Sequence, residues 1–200
     1  IISLLIGIIF LTMYSKDTIH IAQNSYFNNF FDFFFKYTTH LGDGWFFLIT
    51  AVPLLFIKWR YFLGMVLVAL FTLFFTGILK QVIYKGEPRP VKYFEGKYDL
   101  RLIEGVKISE WNSFPSGHTT AAFACFGFIA LLSSSSISKF LLFIIAGIAG
   151  YSRIYLSQHF LEDVIAGMFI GTFIAIVSYR VMWLFKKEWL EGKLKMNFLK

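Results

Sequence analysis

The sequence predicts an all-α membrane protein: six transmembrane helices in one bundle, with an interfacial helix after the first span. Composition points there first. Hydrophobic residues make up 57% of the chain and charged residues only 16%, where soluble domains carry about 25% charged. The mean hydropathy is +0.65. Apolar residues also fall in long runs instead of amphipathic stripes, and several runs approach or exceed the ~20 residues that cross a bilayer as helix. Residues 1–200 therefore form a single membrane-embedded domain, with no room for a second soluble one.

Residues 1–14 read as a span lacking its N-terminal end, since the chain starts at Ile1 and not at Met. Residues 26–37 (YFNNFFDFFFKY) mix aromatic and polar side chains and read as a helix lying at the interface, in preference to one lining an entrance. Residues 45–57 are apolar but short, closed by Lys58, Trp59 and Arg60, so this second span needs help from residues 41–44 and a snorkelling Lys58. Residues 61–83 form a full-length span with Lys80 near its end. A polar connection, 84–112, carries Pro88 and Pro90. Three more spans follow at 117–132, 140–156 and 160–185, and a basic tail begins at Lys186.

The net charge of +7 does not mark a nucleic-acid partner here; basic flanks beside anionic headgroups account for it. The single cysteine, Cys125, excludes an intrachain disulfide. No signal peptide with a cleavage site is visible. The side with the 58–60 turn, Lys139, Arg180 and the tail holds nine basic residues against Glu188 and Glu191, while the other side holds ten basic and ten acidic. Setting aside Lys80, Arg89, Arg153 and the basic residues of the long 84–112 connection, the lysine and arginine bias places both termini in the cytoplasm.

Three short stretches concentrate the unusual polar residues: Lys80 to Arg89-Pro90; Pro115-Ser116-Gly117-His118; and Ser152-Arg153 with His159 and Asp163. By parity all lie at span ends on one membrane face. Charge at mid-bilayer costs roughly 2.5–3.5 kcal/mol per group, so its persistence marks function. Asp163 follows His159 by four residues and shares its helix face. The carboxylate can hold one ring nitrogen and leave the other free as a nucleophile. Lys80, Arg89 and Arg153 offer a cationic cradle for a phosphoryl group. Ser116 and Gly117 open a helix whose N-terminal N–H groups favour an anion, and His118 is placed to protonate a leaving oxygen. Taken singly, each has an ordinary reading: a snorkelling lysine, a helix cap, a structural His–Asp contact. Their joint occurrence on one face does not. His20 and His40 lie outside the arrangement and read as loop or interfacial residues. No metal is expected, because no cluster has ligand spacing with enough acids.

With these residues the chain resembles the type 2 phosphatidic acid phosphatase superfamily, whose signature is KxxxxxxRP, PSGH and SRxxxxxHxxxD. The second and third motifs match fully. The first departs: eight residues separate Lys80 from Arg89 where the family has six, and Val82 stands at the family's lysine position. Lys80 is favoured because a looser turn at Lys85-Gly86 can absorb two residues; Lys85 is the alternative. The resemblance covers residues 40–185. It implies a six-helix membrane fold and metal-independent, cofactor-free hydrolysis of a lipid phosphate. His159 would attack phosphorus, oriented by Asp163, and His118 would be the acid. Lys80, Arg89, Arg153, Ser116 and Gly117 would hold the phosphoryl oxygens. With the tail cytoplasmic, the site would face the periplasm from a bacterial inner membrane. A lipid phosphotransferase using the same histidine is the alternative. A transporter would place its charges near the bilayer midplane, and a structural protein would not need two histidines beside one cationic cluster.

Overall fold

Small residues decide where the bundle is tightest. The computed structural model describes residues 9 and 11–194, so most of the expected first span (1–14) and the end of the tail, including Lys195 and Lys200, lie outside the described residues. Helix α6 (Gly117–Leu132) runs through the middle of the bundle, packed against α7 (Ser136–Tyr155) and α8 (Leu161–Leu184). Gly167 and Gly171 of α8 let it approach α6 closely. A Cβ on Gly171 would come within 2.4 Å of the Thr120 carbonyl oxygen, and one on Gly167 within 2.8 Å of that of Ser116. Thr119, Thr120 and Ala124 of α6 meet them. In an apolar solvent, such close backbone packing holds helices together.

Among the described residues the secondary structure is helical, apart from one isolated bridge between Pro88 and Trp111. Helices α1 (Lys16–Ser25) and α2 (Asn29–Thr38) precede α3 (Phe46–Leu55), α4 (Trp59–Ile78) and the short α5 (Pro90–Phe94). Among the described residues, three helices are long and apolar enough to cross a membrane: α4 with its extension to Ile83, α7 and α8. Their outward residues, among them Leu73, Phe74, Ile137, Phe140 and Phe173, are exposed and apolar, as a lipid-facing surface requires. Among the described residues, which leave out most of the first span, the expected count of six spans is not reached by length. Helix α6 has 16 residues and α3 only 10. At 1.5 Å per residue these reach about 24 and 15 Å, short of a ~30 Å hydrocarbon core. Helix α3 stops two residues after Pro53, which supplies no N–H.

The fifth span starts earlier than expected, at Ser136, where Ser135 caps the helix by accepting from the Ser138 N–H at 3.3 Å. Helix α1 was not anticipated. At the end of the bundle away from the motifs, Arg60 is buried and not a headgroup anchor. Its Nη1 donates to the carbonyls of Met182 and Phe185, both at 2.8 Å, satisfying the C-terminus of α8. Glu191 accepts from Nε of Arg60 at 2.6 Å and from Lys58 Nζ at 2.7 Å, so Lys58 is tied to the tail and not snorkelling.

Candidate active site

The turn between α7 and α8 carries the third motif. The Arg153 carbonyl accepts from the N–H groups of Gln158 (2.9 Å) and His159 (3.1 Å), folding the chain back at the end of α7. Ser157 holds the left-handed conformation (φ 51°), costly for a non-glycine residue. Two side chains of α1 brace it: His20 Nε2 lies 3.2 Å from Ser157 Oγ, and Asn24 Nδ2 donates to it at 3.1 Å. His20 is therefore a buried brace and not a loop residue. Burial holds its pKa down at about 4, so it is neutral at pH 7.

His159 is 1% exposed, and its Nδ1 lies 3.2 Å from Oδ2 of Asp163. That same oxygen accepts from Ser113 Oγ (2.5 Å) and from the Phe160 N–H (2.9 Å), which locks the carboxylate. With Nδ1–H turned to Asp163, the network assigns the free lone pair to Nε2. Burial first, and then the positive charges of Arg89, Lys80, Arg153 and His118, hold the His159 pKa well below the ordinary histidine value. The imidazole is therefore neutral at pH 7.

The cationic residues come from three other elements. Lys80 sits in a π-helical turn (Leu79–Ile83) that ends α4, and its Nζ donates to the Asn112 carbonyl at 3.0 Å. A π turn takes up one more residue than an α turn. Together with Gly86, at φ 83°, it accommodates the lengthened first motif. Lys80 is half-buried beside the start of α6, whereas Lys85 is exposed. Arg89 is pinned through Nε to the Trp111 carbonyl at 3.0 Å, and burial lowers its pKa while Asp163 opposes the shift. Arg153 Nη1 donates to Thr39 Oγ1 at 2.6 Å.

Ser116 caps α6, accepting from the Thr119 N–H at 3.4 Å and the Thr119 hydroxyl at 2.8 Å. At Gly117 an added Cβ would meet only Lys80 Cε, at 3.7 Å, so packing within the protein does not itself demand glycine there. His118 lies against buried Gly42, where a Cβ would fall 2.6 Å from the His118 carbonyl oxygen. Its Nε2 stands 2.8 Å from Asp43 Oδ1. The other oxygen of Asp43 is bound by His40 Nδ1 (2.7 Å) and Trp45 Nε1 (2.9 Å). His40 is thus joined to the site through Asp43, contrary to its reading from sequence. The hydrogen bond from His118, then those from His40 and Trp45, hold Asp43 well below the usual carboxylate range despite partial burial.

Arg89, Arg153, His118, Asp43 and Gln158 line a cavity of about 390 Å³. Lys36 and Tyr37 of α2 line it too. Helix α2 is docked on α7: Phe35 packs against Tyr151 and Tyr155, and Tyr155 Oη donates to Asp32 at 2.7 Å. A second cavity of about 400 Å³, walled by Phe47, Ala69, Leu73 and Thr76, shares Asp43 and His118 with the first. All eight residues expected from sequence thus lie around one end of the bundle. Asp43, Ser113, Gln158 and Thr39 were missed. Ser113 lies two residues before the second motif and Gln158 within the third; Asp43, in Gly42-Asp43-Gly44, has only its flanking glycines as a signal. Among the described residues, no three His, Cys, Asp or Glu side chains are grouped as a metal site.

Lipid phosphate phosphatase 1 of Arabidopsis thaliana is 33% identical over 138 residues, covering 56% of this chain and 42% of that protein. The chain thus spans under half the length of that curated relative. The crystal structure of Aquifex aeolicus LpxE superposes with a TM-score of 0.70 at 29% identity, covering 82% of this chain and 93% of that one. The transmembrane PAP2-type phosphatidylglycerolphosphate phosphatase of Bacillus subtilis has the same fold, with a TM-score of 0.70, 22% identity, and coverage of 94% and 98%. The PAP2 superfamily model matches residues 58–187, which contain all three motifs, and the chain belongs to that superfamily.

Proposed function

We propose that the protein is a membrane lipid phosphatase that hydrolyses a phosphate monoester or pyrophosphate through a covalent phosphohistidine on His159. The observation that carries this reading is the His159–Asp163 pair at 3.2 Å, with Nε2 free and three cationic side chains close enough to depress the ring's basicity. In the first step the Nε2 lone pair forms a bond to phosphorus. The P–O bond to the lipid breaks, and the departing oxygen takes a proton from His118. In the second step water attacks phosphorus, the P–N bond breaks, His118 takes the water proton, and inorganic phosphate leaves. Lys80, Arg89, Arg153, Ser116 and the Gly117 N–H hold the phosphoryl oxygens as their charge shifts. The cradle supplies the positive charge that a metal supplies elsewhere, so the reaction needs none.

A lipid substrate is supported by the second cavity, whose apolar wall of Phe47, Ala69 and Leu73 meets the phosphate cavity at His118. A chain lying there would leave its phosphate at headgroup depth. The full architecture would be six spans in one domain, residues 1–200, with the site on the periplasmic face of a bacterial inner membrane. Phosphatidic acid, phosphatidylglycerophosphate, undecaprenyl pyrophosphate and lipid A phosphates are the candidate substrates. The deciding experiment is phosphate release from this panel by purified protein in EDTA, with His159→Ala as control. Release by the wild type alone supports the reading. A requirement for an added divalent ion would overturn its metal-free form, and transfer of phosphate to an added alcohol would identify a transferase.

A further inference from the structure

Gln158 stands immediately before His159, at a position that the third motif leaves unspecified. It is 2% exposed and lines the same cavity as Arg89, Arg153 and His118. Its Oε1 accepts from Nη1 of Arg89 at 3.3 Å and from Nη2 of Arg153 at 3.4 Å. An amide oxygen has two lone pairs, and these two guanidinium groups engage both. The contacts also settle the amide's orientation, because a flipped –NH2 would face two groups that can only donate. Gln158 Nε2 therefore lies on the side turned from the arginines. It carries two N–H donors and is buried without a hydrogen-bond partner among the described residues. Arg153 Nε is buried and unpartnered in the same way. Buried donors are nearly always satisfied in folded proteins, and an oxyanion in the cavity is the ligand chemistry that would satisfy both.

We propose that Gln158 is a phosphoryl-binding residue with two tasks. Oε1 holds Arg89 and Arg153 in one orientation, and Nε2–H donates to an oxygen of the bound phosphoryl group. The proposal rests on the phosphatase reading and adds a ligand to its cradle. A neutral amide suits both tasks: it couples two like charges without cancelling either, whereas a carboxylate would accept from both arginines but donate nothing.

The test uses the full chain in detergent with orthovanadate as probe, by direct binding and by inhibition. Gln158→Met keeps side-chain length and removes both amide functions. Its vanadate affinity should fall about tenfold, the worth of one hydrogen bond. Its kcat should fall about 10²-fold, as on loss of one oxyanion donor, with KM changed less. Gln158→Glu keeps the acceptor and loses the donor, and should bind vanadate no better than Gln158→Met. Thermal unfolding midpoints near the wild-type value show that these are not folding defects. Wild-type vanadate affinity and turnover in Gln158→Met overturn the proposal. Wild-type affinity in Gln158→Glu overturns the donor role. A wild-type protein that binds vanadate through Gln158 yet releases phosphate from no lipid sinks the phosphatase reading and upholds this one. A wild-type protein that binds no vanadate sinks this one.

Discussion

The carboxylate of Asp43 stands 2.8 Å from Nε2 of His118, so this end of the bundle holds two histidine–carboxylate pairs, not one, and the Asp43–His118 pair lines the cavity. They differ in setting. Asp163 is 2% exposed and fixed by a serine and a backbone N–H. Asp43 is only partly buried and is fixed by His40 and Trp45 near the mouth. In the proposed reaction His159 stays neutral to attack while His118 carries the mobile proton. Asp43 places a negative charge beside the acid, among three cations. Asp43→Ala should lower kcat at least tenfold, within the range that general acid catalysis contributes. Asp43→Glu should recover part of it. Unchanged turnover in Asp43→Ala would make the pair a structural contact only.

The nucleophile assignment predicts that His159→Ala abolishes turnover to within a few per cent, and that a phosphorylated histidine can be trapped at 159 in the wild type. Asp163→Asn should lower kcat sharply, because an amide no longer selects the tautomer with Nε2 free. Vanadate binding should largely survive in Asp163→Asn, since the cradle is intact. A phosphorylated residue at His118 in place of His159 would reverse the two roles.

Lys80 and Lys85 compete for the first motif. The Lys80 ammonium is within 3.0 Å of the Asn112 carbonyl, and its stem touches the start of α6, while Lys85 is exposed. Lys80→Ala should cost about 3 kcal/mol of transition-state stabilisation, the loss seen for one oxyanion donor. Lys85→Ala should be nearly neutral. Steady-state kinetics of the two variants decides, and the opposite ranking moves the role to Lys85.

What could be read from sequence follows from where each residue lies along the chain. The Ser116–His118 and Arg153–Asp163 stretches are each local, with spacings set by a helix start and a single turn, so their pattern survives in one dimension. Asp43, Thr39 and Ser113 reach the site only through tertiary packing. Thr39 meets Arg153 across 114 positions, a pairing no local period encodes. The long spans were legible because apolar runs bound them. The shortness of α3 was legible too, in the 13-residue apolar stretch 45–57, but the burial of Arg60 was not, since it depends on carbonyls at the far end of α8.

His20 makes the brace of α1 sensitive to acid. Its folded pKa is about 4, below the ordinary 6.5, so between those values the unfolded chain binds more protons and stability falls as pH drops. Across the full window this amounts to about 3 kcal/mol at 1.36 kcal/mol per unit. The contribution is fully present above pH 6.5 and lost as pH falls toward 4. His20→Gln should therefore flatten the pH dependence of the unfolding midpoint between pH 7 and 4.5. An unchanged slope would assign the acid sensitivity to other groups, with buried His159 next to be tested.

The last prediction joins the chemistry to the membrane. Lys80, Ser116, Arg153 and His159 lie at one end of the bundle, and Lys58, Lys187 and Glu191 at the other, where α8 ends and the tail begins. In the proposed topology the basic tail is cytoplasmic, and the cavity then opens at the outer leaflet. Phe30, Phe33 and Tyr37 of α2 are exposed, and Tyr37 lines the cavity at that end, an arrangement suited to headgroup depth. A cysteine at Lys97, in the exposed connection before α6, should react with a membrane-impermeant thiol reagent in intact cells. One at Lys193 should react only after permeabilisation. Cys125 is buried and should not interfere. Labelling of position 193 alone would invert the topology and place the reaction at the cytoplasmic leaflet, where the available lipid phosphates differ.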